Sequence, residues 1–441
     1  MIDPLWRDRY ILWKNSKILQ PDEEPVNNEE NVSEYDFFHI AIAPVLRFSQ
    51  LFGVFPLNSV MNRLPGNMLY KSVSFATALS MMAIFGGYAV SLLSLKRLAR
   101  TGLDAINMAE PFFFAVCATS AVLFWALAKE WQFVVTVWSE TERVFLRKPF
   151  RGKALRSSIR RTAFVVLTLA LAEHIFSVAN NIANLRREVH HCNWTISSPV
   201  KYFCLKTFSS TFDSIPYNLP VALYNEYVVV AMTFAWNFVD LFIVLVSIGL
   251  TTRFTQLNIR ISERIQSRKG TTEDFWEQIR IQYVSLCDLV VLLNRSINRL
   301  VFVSYANDLY FICLQIMHAT LEQPFLINRV YFFYSFSFLL LRTFLMFWYS
   351  SQVQDASHQP CRLILRVPNH EYCDELQRVQ MYSRRGVSLT GMGVFLVSRR
   401  IFLTIAGTII TYELVLLSFR KRIMDEPDDN NDVSCEPLHL D

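Results

Sequence analysis

IFLTIAGTIITYELVLLSF, residues 401–419, is about one bilayer thickness of apolar helix, and its reading decides the fold. Arg399 and Arg400 close it on one side; Arg420, Lys421 and Arg422 close it on the other. Thr411, Tyr412, Glu413 and Ser418 lie inside it. A carboxylate near the hydrocarbon centre costs roughly 2.5–3.5 kcal/mol on insertion scales, so Glu413 faces protein or water rather than lipid. A final membrane helix with a polar stripe points to a pore lining, a coupling site or a contact between helices.

The rest of the chain agrees with a membrane reading. Of its 441 residues, 52% are hydrophobic and only 18% are charged, where soluble domains carry about 25% charge. The apolar excess is gathered in long blocks, which predicts a polytopic protein. The net charge of +5 is spread over particular loops and forms no single nucleic-acid-like face. The first 32 residues are polar and carry no signal-peptide core, so the first span acts as its own insertion signal.

Seven blocks are long and apolar enough to span: 70–95, 108–129, 162–184, 222–250, 300–321, 330–350 and 394–419. An eighth, 37–60, is interrupted by Pro44, Arg47 and Pro56 and reads as an interfacial or re-entrant helix, with a tilted span as the alternative. Basic residues from Arg143 to Arg161 and from Arg253 to Arg280 put those two connections in the cytoplasm. Both fit an intracellular N-terminus and an extracellular C-terminus, although Arg420–Arg422 argues against the latter. The 185–220 loop is then extracellular. It holds the glycosylation sequon Asn193-Trp194-Thr195, and Cys192 and Cys204 could bridge there. The sequons at Asn31 and Asn294 fall on the cytoplasmic side and stay unmodified. Cys117, Cys287 and Cys313 read as buried thiols.

The expected organisation follows. Residues 1–36 form a disordered cytoplasmic N-terminus and 37–66 the interfacial helix. Residues 67–250 hold spans one to four, and 251–300 are cytoplasmic helical extensions, with Gly270 as a helix stop and Thr271, Thr272 and Glu273 as a fresh cap. Residues 301–350 hold spans five and six, 351–393 a second cytoplasmic helical part, 394–419 span seven and 420–441 the outer tail.

Two constellations could carry chemistry. On the last helix, Thr411, Ser418 and position 414 or 415 share one face, while Tyr412 and Glu413 point elsewhere. Such a face suits a pore flanked by a carboxylate, and equally suits hydrogen bonds to neighbouring helices. The second set is intramembrane: Glu173, His174, Trp236, Asn237, Asp240, Asn307, Asp308 and Tyr310, with Gln315, Tyr331, Tyr334 and Arg342 nearby in sequence. Carboxylates and amides beside aromatic rings suit a sugar-like ligand, whose hydroxyls need donors and acceptors and whose apolar face stacks on a ring. Internal pairing, such as Asp240 or Asp308 with Arg342, is the competing explanation, and His174 reads as packed and not as a metal ligand.

Enzymatic motifs are missing: there is no HExxH, GxSxG, GxxxxGK[ST] or GxGxxG in a fitting context, and no cofactor is implied. Nor are there DRY-type or NPxxY-type ends like those of G-protein-coupled receptors, or two related halves as in many transporters.

TYELVLLSF resembles the Thr-Tyr-(five positions)-Gln-Phe signature that ends insect gustatory receptors, and Glu413 after the Tyr resembles the sugar-receptor branch. Further similar blocks are FFHIAIAP (37–44), AEHIFS (172–177), TFAWNFVDLFI (233–243), NDLYFICLQI (307–316) and YFFYSFSFLLLRT (331–343). The family's Gln is Ser418 here. The resemblance implies an all-α polytopic protein with seven membrane helices, an intracellular N-terminus, a cytoplasmic helical anchor domain, and a last helix lining the central pore of a tetramer. It implies a ligand-gated, non-selective cation channel in the plasma membrane, and from the sugar branch a sweet-taste receptor of chemosensory neurons. Expected partners are a small sugar, permeating cations and other copies or related receptors, with no nucleic acid. The ligand set is expected to be Glu173, His174, Trp236, Asn237, Asp240, Asn307, Asp308 and Tyr310. The pore set is Thr411, Leu414, Ser418 and Phe419, with Tyr412 and Glu413 coupling. The alternatives are a receptor channel for another tastant and a solute transporter using Asp240 and Glu413.

Overall fold

The computed structural model describes residues 36–102, 107–150, 155–192, 198–267, 270–319 and 325–399, together with Thr404, Gly407 and Thr411. Among them six helices are long and apolar enough to cross a membrane, and a short hairpin is the only sheet. The protein is an all-α polytopic membrane protein. The chain order is α1 (Phe38–Ser49), α2 (Phe75–Thr101), α3 (Ala109–Arg143) and α4 (Leu155–His191), then the short α5 (Pro199–Thr207) and α6 (Ser209–Phe212). The long α7 (Leu219–Gln266), α8 (Glu273–Ala319) and α9 (Leu326–Ile364) follow, and then α10 (Asp374–Ser383) and the hairpin β1 (Thr390–Gly391) and β2 (Phe395–Leu396).

Local chemistry sets several of these ends. Ser74 caps α2 by accepting the Thr77 N–H at 3.2 Å, and Gly102 closes it at a φ of 99°. Pro199 opens α5 behind the capping Ser198, a position where the missing N–H costs nothing. Thr272 Oγ1 accepts the Phe275 N–H at 3.3 Å at the start of α8. The 48 residues of α7 make a rod of about 72 Å, more than twice the ~30 Å hydrocarbon core. α7 and α8 therefore run well beyond the bilayer.

Burial ranks the helices. The most apolar window of α7 is 72% buried, while that of α4 is 17% buried. α7 is the central post and α4 a peripheral helix whose Phe164, Leu171 and Ile175 are exposed. Phe55, Phe124, Trp131 and Phe242 form one aromatic knot around α7, with Phe55 and Trp131 edge-on at 5.2 Å. Gly249 lets a stacked pair approach the post: a Cβ there would lie 2.7 Å from Phe38 and 2.8 Å from Trp138.

Twelve residues give α1 a length of about 18 Å, too short to cross the core. It is buried along Phe38, Ala41, Ile42, Val45 and Leu46, and a polar latch holds its start. Glu142 Oε1 accepts the Phe38 N–H at 2.8 Å, and Glu142 Oε2 pairs with Arg253 Nη2 at 2.8 Å. Arg253 also donates to the Asp36 carbonyl at 2.7 Å.

Two features depart from the sequence reading, and a third resolves a pairing that it left open. Residues 185–191 are helical, the end of α4, where Arg187 lies 3.7 Å over the Phe325 ring; much of 199–212 is helical too. Residues 395–396 are strand rather than the first turn of a membrane helix. Asn294 holds that hairpin by donating to Thr390 Oγ1 at 2.9 Å and accepting its N–H at 2.8 Å, so the amide of that sequon is engaged inside the fold. Finally, Cys204 keeps a free thiol, so it is not bridged to Cys192.

Candidate functional site

α3, α4, α7 and α9, roofed by α5, enclose a cavity of about 220 Å3. Glu173, His174 and Ser177 line it from α4, Trp236 and Glu226 from α7, and Tyr331 from α9. Glu173 and His174 are adjacent in sequence, and both reach the cavity. Ser335 donates to Glu173 Oε1 at 2.7 Å and receives a hydrogen bond from Gln315 Nε2 at 3.4 Å.

Behind Trp236 sits a buried charge cluster centred on Arg342 of α9. Its Nε lies 2.6 Å from Asp240 Oδ2 and its Nη2 lies 3.3 Å from Asp308 Oδ1. Its Nη1 donates to Asn237 Oδ1 at 2.6 Å. Thr343 donates to Asp308 Oδ2 at 2.8 Å, and Ser304 donates to Asp240 Oδ1. All three charged side chains are at most 3% exposed. The guanidinium also faces the Trp236 ring, 4.4 Å from its centroid, a cation–π distance. α7, α8 and α9 each supply at least one member, so the cluster ties three long helices at one depth.

The eight intramembrane residues picked out by sequence thus divide. Glu173, His174 and Trp236 line the cavity. Asn237, Asp240 and Asp308 belong to the cluster beneath it, in the internal pairing with Arg342 that competed with direct ligand contact. Asn307 is buried, and its side-chain oxygen has no partner among the described residues. Tyr310 packs on Phe112 at 4.1 Å. Sequence reasoning passed over Phe113, Glu226, Ser304 and Ser335. Ser304 was findable, lying four residues before Asp308 and so on one face with it. Phe113 and Glu226 carried no signal, because their place depends on how α3 and α7 pack.

On the last helix, Thr411 is exposed and donates to the Gly407 carbonyl at 2.9 Å. Tyr412, Glu413, Leu414, Ser418 and Phe419 lie outside the described residues, as does Asn193.

The described residues thus form a polytopic helical bundle with a small polar–aromatic cavity beside a buried charge cluster. A family model described as "Trehalose receptor" matches residues 16–426. The chain is 33% identical to the gustatory receptor for sugar taste 61a of Drosophila melanogaster, over 87% of this chain and 88% of that one. It is 30% identical to the gustatory receptor for sugar taste 64a and 29% identical to gustatory receptor 5a for trehalose of the same fly, each covering 92% of this chain and 88% of the relative. The fold is similar to that of the insect olfactory receptor OR5 from Machilis hrabei, with a TM-score of 0.62 over 87% of this chain and all of that one, at 14% identity. The chain belongs to the sugar-receptor branch of the insect gustatory and olfactory receptor superfamily. It is a multi-pass chemosensory receptor of the plasma membrane and not an enzyme.

Proposed function

We propose that the protein is a sugar-gated, non-selective cation channel that serves as a sweet-taste receptor. The observation that carries this reading is the convergence of Trp236, Glu173, His174 and Tyr331 on one cavity. An aromatic face and a carboxylate beside further donors are what a pyranose ring and its hydroxyls require. The relatives named for sugar taste and trehalose support it. The cavity is smaller than the ~300–1,000 Å3 of drug-sized sites, so a disaccharide enters by displacing a wall, and α5 with Phe203 and Phe208 is the wall closest to a loop.

In this reading the N-terminus is intracellular, four copies surround a pore lined by Thr411, Leu414, Ser418 and Phe419, and Tyr412 and Glu413 couple the pore to its surroundings. The cytoplasmic extensions of α7 and α8, with α10, form the anchor. Asn193 carries a glycan, and the receptor acts in chemosensory neurons, alone or with related receptors. Asn237, Asp240, Asn307, Asp308 and Tyr310 shape the floor behind the residues that touch sugar. Sugar moves the gate only in so far as its affinity differs between the closed and open states.

Whole-cell recording from cells expressing this chain tests the proposal. Rapid, reversible cation current on applying disaccharides is expected. Current evoked only by other tastants, or sugar uptake without channel current, overturns it. Ser418→Gln, which restores the family residue, is expected to change single-channel conductance or gating.

A further inference from the structure

A second cavity lies elsewhere. About 370 Å3 in volume, it opens between α8, α9 and the segment that leads from α10 into the hairpin, lined by Asn294, Arg295, Gln354, Arg385, Ser388 and Leu396 among others. Among the described residues, Arg295 and Arg385 are its only charged lining residues, and no carboxylate lines it. Arg299, one turn along α8 from Arg295, and Arg384, next to Arg385 in sequence, are exposed. Arg385 forms no hydrogen bond or ion pair among the described residues. Val291 and Leu396, both exposed large hydrophobics, line it as well, and Val394, two residues before Leu396, is 75% exposed.

Its depth follows from the chain. Above Arg299, α8 runs to Ala319 with Asp308 its only acidic or Lys/Arg residue, a length of about 30 Å and so one hydrocarbon core. The final apolar block likewise begins just past Arg399 and Arg400. Both arginine pairs mark the level where an apolar segment meets water, and the positive-inside rule puts that level at the cytoplasmic leaflet. Basic pockets between membrane helices on that side are recognition sites for phosphorylated headgroups. Arginine suits them because its planar fork binds phosphate oxygens in pairs.

We infer that this cavity binds the phosphate-bearing headgroup of an anionic inner-leaflet phospholipid, with its acyl chains leaving past Leu396 and Val394 toward the apolar stretch of α8 above Arg299. The lipid bridges α8 to the segment from which the last helix starts. This inference is independent of which tastant opens the receptor.

The purified full-length receptor is placed in phosphatidylcholine nanodiscs with and without phosphatidylinositol bisphosphate, and retained lipid is measured by native mass spectrometry. Wild type is expected to retain the phosphoinositide in preference to phosphatidylcholine. Arg385→Gln is expected to weaken that retention about five-fold, the equivalent of the ~1 kcal/mol that one surface arginine contributes. Arg385→Lys should keep most of it, and the control Arg366→Gln, also exposed but not lining the cavity, should match wild type. Soluble inositol trisphosphate should bind far more weakly than the lipid, since it lacks the chains. Equal retention of both lipids, an Arg385→Gln protein that binds like wild type, or inositol trisphosphate binding as tightly as the lipid each overturn the inference. The melting temperature of each variant in phosphatidylcholine alone checks that the fold is intact.

Discussion

The Arg342 guanidinium lies 4.4 Å from the centre of the Trp236 ring, and only Trp236 of the two lines the cavity. A ligand stacked on Trp236 therefore feels Arg342 through the indole, while Asp240 and Asp308 hold the guanidinium in place.

Removal and replacement of Arg342 should consequently differ. Arg342→Ala leaves two buried carboxylates without their cation, a change that costs about 3–5 kcal/mol, and should lower the melting temperature and surface expression. Arg342→Lys keeps the charge but loses the fork that serves three partners at once. It should reach the surface and shift the sugar dose–response curve. Because the effect passes through Trp236, the shifts from Arg342→Lys and Trp236→Phe should be non-additive in a double-mutant cycle. Strict additivity would show that the two residues act separately.

Glu173 and Asp240 separate contact from support. Glu173 lines the cavity and accepts a hydrogen bond from Ser335, so Glu173→Gln should weaken the sugar response about ten-fold, the worth of one charge-assisted hydrogen bond, with little loss of stability. Asp240 is 1% exposed and pairs with Arg342, so Asp240→Ala should lower stability as well as response. Surface biotinylation beside whole-cell current distinguishes the two.

The latch on α1 makes a prediction away from the ligand. Glu142 and Arg253 are at most 1% exposed and hold the Phe38 N–H and the Asp36 carbonyl. Glu142→Gln should destabilise the receptor by about 3–5 kcal/mol, because it strands a buried guanidinium. The double variant Glu142→Met with Arg253→Met should recover part of that loss. Thermal unfolding in detergent reads both.

Protonation of Glu371 should loosen the turn before α8. Its Oε2 accepts the Thr271 hydroxyl at 2.6 Å and the Thr271 N–H at 2.7 Å, and these bonds hold its carboxyl below the usual carboxylate range. A depressed folded value means the contribution is complete above about pH 4.3, the ordinary glutamate value, and is lost as pH falls through the folded value. Amide exchange at Thr271 should therefore accelerate, relative to its intrinsic rate, as pH is lowered below about 4.3, and Glu371→Ala should abolish that dependence.

The membrane class was legible because hydrophobic length is a one-dimensional property. The apolar block 222–250 already marks the buried centre of α7, with no knowledge of what packs around it. The motif blocks likewise carried the family. Local rules found the stop at Gly270, whose φ is 68°, but could not find the hairpin before the last helix. Its two-residue strands are held by Asn294, 96 residues away, and no local pattern encodes such a partner.

For the site, the sequence by itself determined which scarce polar residues enter the membrane, since each must be satisfied there and so stands out against the apolar background. Only the tertiary structure decided their roles. Arg342 meets Asp308 across 34 positions and Asn237 across 105, while Glu173 reaches Ser335 across 162. Whether a buried carboxylate faces a guanidinium or an open cavity depends on the rotation and packing of α4, α7, α8 and α9, and side-chain chemistry alone leaves that choice open.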